Sequence, residues 1–260
     1  MRTFILRLAV VVTAMMCGAA NALDVPPKPD GAIRFATYNV SLHGEREGEI
    51  VSRLATPDDR QAQLSATVIQ RVRPDVLLVQ EIDRDGDGRA LAHYADNYLA
   101  RAQGGEEAIL YPHRIELPTN TGEPSGIDLS GDGEIGTSGI AYAVDAKGFG
   151  RYPGQYGFSI LSRLPLGPAR TFSDLLWRDM PGHRMPPNTS QAVRDVLPLS
   201  SKTHALIPVA ADGVTIHVIA AHPTPPIRAN LVPRNADEIR LAVDLLHEAR
   251  SQYAVDDAGV

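Results

Sequence analysis

Three polar residues that can do chemistry stand next to apolar, strand-like segments. Asn39 follows IRFATY, Glu81 follows VLLVQ, and His222 follows HVIAA. A hard divalent cation accepts amide and carboxylate oxygens as ligands, and an imidazole can hydrogen-bond or protonate a phosphoryl oxygen. Any one of the three alone would be an ordinary strand cap. Together they indicate metal-assisted chemistry on a phosphate ester.

The elements that must position these residues alternate between strand and helix. Residues 33–38 alternate apolar with more polar side chains, and residues 76–79 form the continuous apolar run of a strand buried on both faces. Further strands are predicted over residues 158–162, 203–210 and 214–221. Because side chains at strand ends can converge over one edge of a sheet, this α/β pattern predicts a shared site for the three polar residues.

Residues 60–72 have the spacing of an amphipathic helix that ends before Pro74. Its apolar face, which is expected to pack on the core, consists of Leu64, Val68 and Val72. Between residues 83 and 139 the chain is dense in Gly, Asp and Pro, with a short helix predicted over residues 90–101. Loops of this length inside a domain are usually functional or irregular.

A last helix is predicted to begin after Asn235, which has the position of an N-cap because Glu238 follows three residues later. Its apolar stripe consists of Ile239, Val243 and Leu246. The opposite face is interpreted as a solvated polar face rather than a metal site. Its potential ligands are Asp244, His247 and Glu248.

The N-terminus has the pattern of a secretory signal peptide. Two arginines precede the apolar run of residues 8–16, and a small-residue triplet follows, which predicts a leader over residues 1–22. The run is far shorter than the roughly 20 residues of a bilayer span, so no transmembrane segment is expected in the mature chain. We expect a secreted protein, periplasmic or extracellular. A lipoprotein acylated at Cys17 is disfavoured by the bulky Met16 before it.

Composition narrows the class of the mature protein. Cys17 is the only cysteine, so residues 23–260 have neither a disulfide nor a thiolate metal site, and one domain and a monomer are expected. Cleavage removes two of the 25 basic residues and none of the 31 acidic ones, which moves the net charge from −6 to −8. This charge disfavours a general nuclease, because non-specific nucleic-acid binding relies on basic surfaces.

Five segments appear in the order and character of the endonuclease/exonuclease/phosphatase superfamily, whose members resemble deoxyribonuclease I. They span nearly the whole mature chain and are FATYNVSLHG (35–44), RPDVLLVQEID (73–83), GQYGFSILSRLPL (154–166), LSSKTH (199–204) and HVIAAHPTPP (217–226). No G-x-S-x-G segment occurs, which disfavours a serine esterase.

The resemblance implies a four-layer α/β/β/α sandwich, with two mixed sheets face to face and helices outside. Glu81 matches the family glutamate that binds Mg²⁺ or Mn²⁺, Asn39 would help to position the metal or the phosphate, and His222 would hydrogen-bond or protonate a phosphoryl oxygen. The implied substrate is a phosphoester, and the acidic charge favours a small or lipid-linked one over duplex DNA. Arg163 and Lys202 lie in family-like segments and either contact the substrate anion or are ordinary structural charges.

The chain departs from the family pattern in its last part. The family's Gly-Asp-Phe-Asn-like motif, whose Asp activates the attacking water, and its Ser-Asp-His motif do not occur. We expect an incomplete form of a longer enzyme that is inactive alone, because the missing general-base and charge-stabilising groups are each worth about 10²-fold or more. The rival interpretation is a secreted binding module that kept the fold and lost catalysis.

Two acidic loops have spacings that resemble calcium sites. Asp83, Asp85 and Asp87 start like an EF-hand, but Tyr94 occupies the position of the closing glutamate, which favours an ordinary turn. The ligands of a second, looser structural Ca²⁺ site would be Asp128, Asp132 and Glu134.

Overall fold

Two β-sheets form the centre of the computed structural model, which describes residues 25–260. The strands of the first sheet are β1 (Phe35–Leu42), β2 (Val76–Ile82), β3 (His113–Glu116) and β4 (Phe158–Ser162). Those of the second sheet are β5 (Arg170–Thr171), β6 (His204–Ala211) and β7 (Val214–Ala221). All five predicted strands are present. The predicted leader lies outside the described residues.

The strand order of the first sheet is β1-β2-β4-β3, and that of the second is β5-β6-β7. β1 and β2 are parallel, whereas every other pair of neighbouring strands is antiparallel. The helices are α1 (Glu49–Leu54), α2 (Arg60–Val72), α3 (Arg89–Tyr94), α4 (Gly139–Asp145), α5 (Gln191–Val196), α6 (Val232–Asp244) and α7 (Glu248–Ser251). A π-helical turn, Ala95–Leu99, continues α3 within the predicted 90–101 helix.

The first sheet packs on both of its faces, because successive side chains of a strand point in opposite directions. On one face Ile160 packs against Ile207 of the second sheet. On the other face Leu77 and Val79 pack against helices α1 to α3, including Ile69 of α2. α6 lies against the second sheet, because the carbonyl oxygen of Glu238 accepts a hydrogen bond at 2.8 Å from Nε2 of His204, the first residue of β6. This contact completes the predicted order of helix, sheet, sheet and helix. The α/β sandwich class is therefore confirmed.

The predicted buried face of α2 is wrong, although its bounds match the prediction. Leu64 and Val68 are 46% and 44% exposed, whereas Ala62, Ala66 and Ile69 are buried. The small alanines allow the helix to approach the sheet closely, and neighbouring polar groups on the same face are satisfied. Two examples are the contact of Ser65 Oγ with Tyr94 OH at 2.8 Å and the hydrogen bond from Gln70 Nε2 to the Leu99 carbonyl at 2.9 Å.

The prediction for α6 is also corrected. The helix begins at Val232, so Asn235 is not its N-cap and instead donates from Nδ2 to the Thr224 carbonyl at 2.7 Å. The predicted apolar stripe, Ile239, Val243 and Leu246, is exposed. Of the predicted solvated face, Asp244 is buried, together with Asp237 and Glu238, whereas His247 and Glu248 are exposed as predicted. The acids accept hydrogen bonds from other segments, as when Asp237 Oδ2 accepts from Trp177 Nε1 at 2.7 Å.

One side of the sandwich is open in the part of the chain that the structure describes. β7 pairs only with β6, so its second edge has no strand partner among residues 25–260. Along β1, successive side chains point to opposite faces of the sheet. Phe35 and Thr37 point toward the second sheet, and both are exposed. Within the same residues, none of the helices combines the length and the apolar character that a transmembrane segment requires.

Candidate active site

The pairing of β1 with β2 contains a bulge at the candidate site. Regular pairing stops at Asn39 opposite Gln80 and resumes with Leu42 opposite Ile82, so two residues of β1 face one residue of β2. A bulge of this kind redirects side chains and is common beside active sites. The single residue of β2 in this interval is Glu81.

The backbone at the bulge is strained. Glu81 has φ 56° and Ser41 has φ 52°, a left-handed conformation that costs on the order of 1–2 kcal/mol in residues other than glycine. Strict alternation would direct Glu81 to the helix-covered side with Val79. Instead, its Oε1 lies 3.9 Å from Nε2 of His222. The strained turn therefore presents the carboxylate to the open edge of the sandwich, where strain often marks function.

The three predicted residues meet at this edge. Asn39 pairs with Gln80 next to Glu81, and the side-chain Nε2 of Gln80 lies 3.5 Å from the carbonyl oxygen of Ala221, the residue before His222. Asn39 and Glu81 lie within their strands rather than after them, and only His222 directly follows one.

The donor set at this edge fits a hard divalent cation. The Glu81 carboxylate is partly buried and accepts no hydrogen bond from residues 25–260, so its oxygens are available to a ligand. Within residues 25–260, Asn39 Oδ1 accepts one hydrogen bond, from the Ser41 N–H at 3.1 Å, and keeps a second lone pair. A site with one carboxylate suits Mg²⁺, which keeps several waters and binds through one or two carboxylates together with substrate phosphate.

His222 is held as a neutral imidazole. Burial and, to a smaller extent, the nearby positive charge of Lys202 together lower its pKa to about 3. Its contact with Glu81 at 3.9 Å is therefore not an ion pair at neutral pH. A neutral imidazole can donate one N–H hydrogen bond to an oxygen acceptor but has no surplus proton to transfer.

Acid should destabilise the protein through His222. Since its pKa is near 6.5 in the unfolded chain and about 3 in the folded one, the stability is fully present above pH 6.5 and is lost as the pH falls toward 3. Between pH 6.5 and 4 this amounts to about 3 kcal/mol. Urea unfolding of the wild type and His222→Gln over this range should show a steeper acid loss for the wild type. Parallel curves would contradict the neutral assignment, and buried His204 contributes equally to both proteins.

Lys202 lies close enough to the site for its charge to act on Glu81 and His222. It is only 7% exposed, and its Nζ makes no hydrogen bond or ion pair within residues 25–260. Burial lowers the pKa of this amine to about 8, although the charges of Glu238 and Glu81 raise it. An ammonium that is largely desolvated and has no protein partner among residues 25–260 can bind an anion from solution.

Arg163 does not belong to this site, which corrects its prediction as a substrate contact. It lies beyond the far end of β4 and pairs with Asp75 at 3.0 Å, together with Lys28. Asp75 precedes β2, whereas Glu81 is six residues later, about 20 Å along a strand. The antiparallel pairing of β4 with β2 therefore sends Arg163 to the opposite edge of the sheet.

Tyr156 and His43 also border the site, and the sequence reasoning missed both. Their rings contact edge to face with centroids 4.6 Å apart, and Ser41 Oγ lies 3.3 Å from His43 Nε2. Tyr156 has φ 58°, the third strained residue in this region after Ser41 and Glu81. The sequence signal that could have identified Tyr156 is its position between glycines in the GQYGF segment.

The first acidic loop is a structural clamp rather than a calcium loop. Asp83 is buried, and its carboxylate accepts hydrogen bonds from the Gly44 N–H at 2.8 Å, the Tyr152 hydroxyl at 2.6 Å and the Tyr156 N–H at 3.0 Å. Burial raises the pKa of this carboxyl, while the three donors lower it. Asp83 thereby fixes the β1 and GQYGF segments beside Glu81.

The second acidic loop folds around its own backbone. Asp128 accepts from the N–H groups of Gly131 at 2.6 Å and Gly133 at 2.8 Å, and Asp132 accepts from that of Glu134 at 3.0 Å. These backbone hydrogen bonds lower the pKa of Asp128. Among the described residues, no group of three or more His, Cys, Asp or Glu side chains is arranged to hold a metal ion. The calcium site stays a prediction.

Solved structures align with four-fifths of the chain or more, at low identity. An endonuclease/exonuclease/phosphatase from Beutenbergia cavernae DSM 12333 has 19% identity and a TM-score of 0.42, with 82% of this chain and 43% of that one covered. TDP2 from C. elegans has 13% identity and a TM-score of 0.40, with coverages of 85% and 44%. Beta toxin from Staphylococcus aureus, with bound magnesium ions, has 14% identity and a TM-score of 0.39, with coverages of 84% and 58%.

The chain thus spans about half the length of the solved structures that it matches. No curated protein matches it. The sequence model of the Endonuclease/Exonuclease/phosphatase family matches residues 36–253, a range that includes Asn39, Glu81, Lys202 and His222. The protein belongs to the endonuclease/exonuclease/phosphatase family, a family of phosphoester hydrolases.

Proposed function

We propose that this protein is, or is part of, a secreted phosphoester hydrolase that depends on Mg²⁺ or Mn²⁺. The observation that supports this function best is the Glu81 carboxylate. It is turned by a strained bulge toward His222, and no described protein group donates a hydrogen bond to it. A protein that only needed the fold would have no reason to keep a carboxylate without a hydrogen-bond donor from residues 25–260 in a costly backbone conformation.

In this proposal Glu81 and Asn39 hold the metal, which would polarise a phosphoryl oxygen and neutralise part of the charge that develops there. The Asn39 side-chain N–H groups orient the phosphate. Neutral His222 donates one hydrogen bond to a phosphoryl oxygen, and the ammonium of Lys202 attracts the anion. Phosphoryl transfer needs this combination of positioning and charge stabilisation more than it needs covalent chemistry.

We propose a small or lipid-linked phosphoester as substrate rather than duplex DNA, and a monomer as the working form. The net charge is −6, and duplex binding depends on basic groups that neutralise successive phosphates. Near the candidate site the buried cation is Lys202, whose single ammonium suits a single phosphate group. Arg163, on the opposite edge, adds nothing to this contact.

Residues 23–260 alone are proposed to be inactive. The Gly-Asp-Phe-Asn-like and Ser-Asp-His motifs, with the acid that would activate water and the second histidine, do not occur in these residues. Within residues 25–260, β1 and β7 each also have one edge without a strand partner. The alternative is a secreted binding module that keeps the fold without catalysis. The coding DNA beyond codon 260 discriminates the two, because an in-frame Gly-Asp-Phe-Asn-like and Ser-Asp-His-like sequence supports the enzyme and a stop codon supports the module.

The proposed function is tested by comparing residues 23–260 with the polypeptide extended by that in-frame sequence. Both are assayed on bis(p-nitrophenyl) phosphate with Mg²⁺, with Mn²⁺, and with EDTA. We expect hydrolysis only by the extended polypeptide and only with metal. Hydrolysis in EDTA would contradict the metal dependence, and turnover by residues 23–260 would contradict their inactivity. No hydrolysis by either polypeptide under any condition would support the binding module.

A further inference from the structure

We infer that Glu238 is a positioning residue that locks the two loops carrying Lys202 and His222 to each other. The Lys202 loop comprises residues 199–203, and the His222 loop comprises residues 222–225. The importance of Glu238 for phosphate binding rests on the proposed function, whereas the connection that it makes between the two loops is a property of the fold.

The carboxylate of Glu238 bridges the loops directly. Oε1 accepts hydrogen bonds from the N–H of Ser201 at 2.7 Å and from its hydroxyl at 2.9 Å. Oε2 accepts from the N–H of Thr224 at 2.6 Å. Glu238 is 1% exposed, so water does not compete for these charge-assisted bonds, which are about twice as strong as neutral ones. One side chain therefore holds the residue before Lys202 and the second residue after His222.

The same turn of α6 anchors both loops a second time. The carbonyl oxygen of Glu238 accepts from His204 Nε2 at 2.8 Å, and the other ring nitrogen of His204 lies 2.7 Å from the hydroxyl of Ser200. Asn235 Nδ2 donates to the Thr224 carbonyl at 2.7 Å. The loops thus cannot shift separately without breaking bonds to the same helix.

His222 and Lys202 have little else to fix them. The Nδ1 atom of His222 is buried without a hydrogen-bond partner among residues 25–260, and the Nζ atom of Lys202 likewise has none there. Their side chains are oriented by packing and by their backbones. The bond from Thr224 to Glu238 fixes the backbone near His222, and the bonds from Ser201 fix the backbone next to Lys202. A rigid phosphate site requires such a supporting shell.

The test replaces the carboxylate by an amide of the same shape in residues 23–260. In Glu238→Gln the side chain has one acceptor oxygen and one NH₂ donor, so it can serve Ser201 or Thr224 but not both. Asp237→Asn is the matched control. That residue is buried on the same helix and bonds Trp177 and the Arg184 N–H through one oxygen, which an amide can still do.

Two readouts are measured at a temperature where urea unfolding shows all three proteins to be folded. Amide hydrogen exchange at Ser201 and Thr224 reports the locking, and titration with inorganic phosphate in the presence of Mg²⁺ reports the site. We expect Glu238→Gln to accelerate exchange at one or both amides and to weaken phosphate binding about 10- to 100-fold. Asp237→Asn should change neither by more than about 2-fold, because the amide oxygen keeps both hydrogen bonds and the residue contacts neither Ser201 nor Thr224 through a hydrogen bond.

Unchanged exchange in Glu238→Gln, or equal effects of the two variants, would overturn the inference. Faster exchange with unchanged phosphate affinity would overturn the role of Glu238 in the site. If the wild type binds no phosphate, the proposed function fails, and the exchange rates still decide whether Glu238 locks the loops.

Discussion

Glu81→Ala is expected to abolish the tight binding of Mn²⁺ and Mg²⁺ by residues 23–260 while leaving the fold intact. Glu81 supplies the one carboxylate of the candidate metal site, and its carboxylate accepts no hydrogen bond within the described chain, so its loss removes a ligand without orphaning a donor. In the extended polypeptide the same change should lower metal-dependent hydrolysis by about 10³-fold, the cost of removing a principal electrostatic group.

Titration calorimetry measures the metal affinity of Glu81→Ala, and urea unfolding measures its stability. Glu106→Ala is the control, because Glu106 pairs with Arg71 at 2.7 Å on the surface, away from the site. It should lose at most about 1 kcal/mol of stability and no metal affinity. If Glu81→Ala retained wild-type metal affinity, the metal role of Glu81 would be refuted.

Lys202→Met is expected to make the protein more stable and worse at binding phosphate. The Lys202 side chain is mostly buried, its ammonium has no hydrogen bond or ion pair in residues 25–260, and methionine fills similar space without a charge to desolvate. Burial lowers the pKa of the amine to about 8, which corresponds to a folding cost of about 1–3 kcal/mol that methionine removes. The lost attraction should weaken inorganic phosphate binding about 10- to 100-fold.

The opposite signs of these two effects separate a functional lysine from a structural one. Urea unfolding and phosphate titration are made on the same preparation at pH 7, where Lys202 is protonated. Arg163→Met is the control, because that residue binds Asp75 at the other edge of the sheet. It should lose stability and keep phosphate affinity. A Lys202→Met protein that is less stable and binds phosphate normally would show that the lysine is structural.

The sequence predicted the strands well because their signal is local. The runs that precede Glu81 and His222 are apolar and β-branched, and the strands β4 and β7 have the predicted bounds. The bulge that turns Glu81 could not be predicted from the sequence. It depends on the register between β1 and β2, whose paired residues lie about 40 positions apart in the chain. The geometry of the site thus arises from pairing rather than from any single segment.

The helix faces were misjudged for a related reason. Hydrophobic periodicity identified α2 and α6 as helices, but it selected Leu64 and Ile239 as buried positions, and both are exposed. The buried face of α6 is decided by donors from distant segments, such as the N–H groups of Ser201 and Thr224, which require the Glu238 carboxylate. No local pattern reports such a requirement, so the sequence analysis interpreted Glu238 as part of the N-terminal cap of α6.

Mapping Mn²⁺ onto residues 23–260 by paramagnetic broadening of their NMR signals tests the central claim most directly. The account predicts that low concentrations of Mn²⁺ broaden the signals of Asn39, Glu81 and His222 first, and that Glu81→Ala removes this effect. Broadening confined to the acidic loop around Asp128, or an unchanged pattern in Glu81→Ala, would contradict the assignment of this edge of the sandwich as the metal-dependent site.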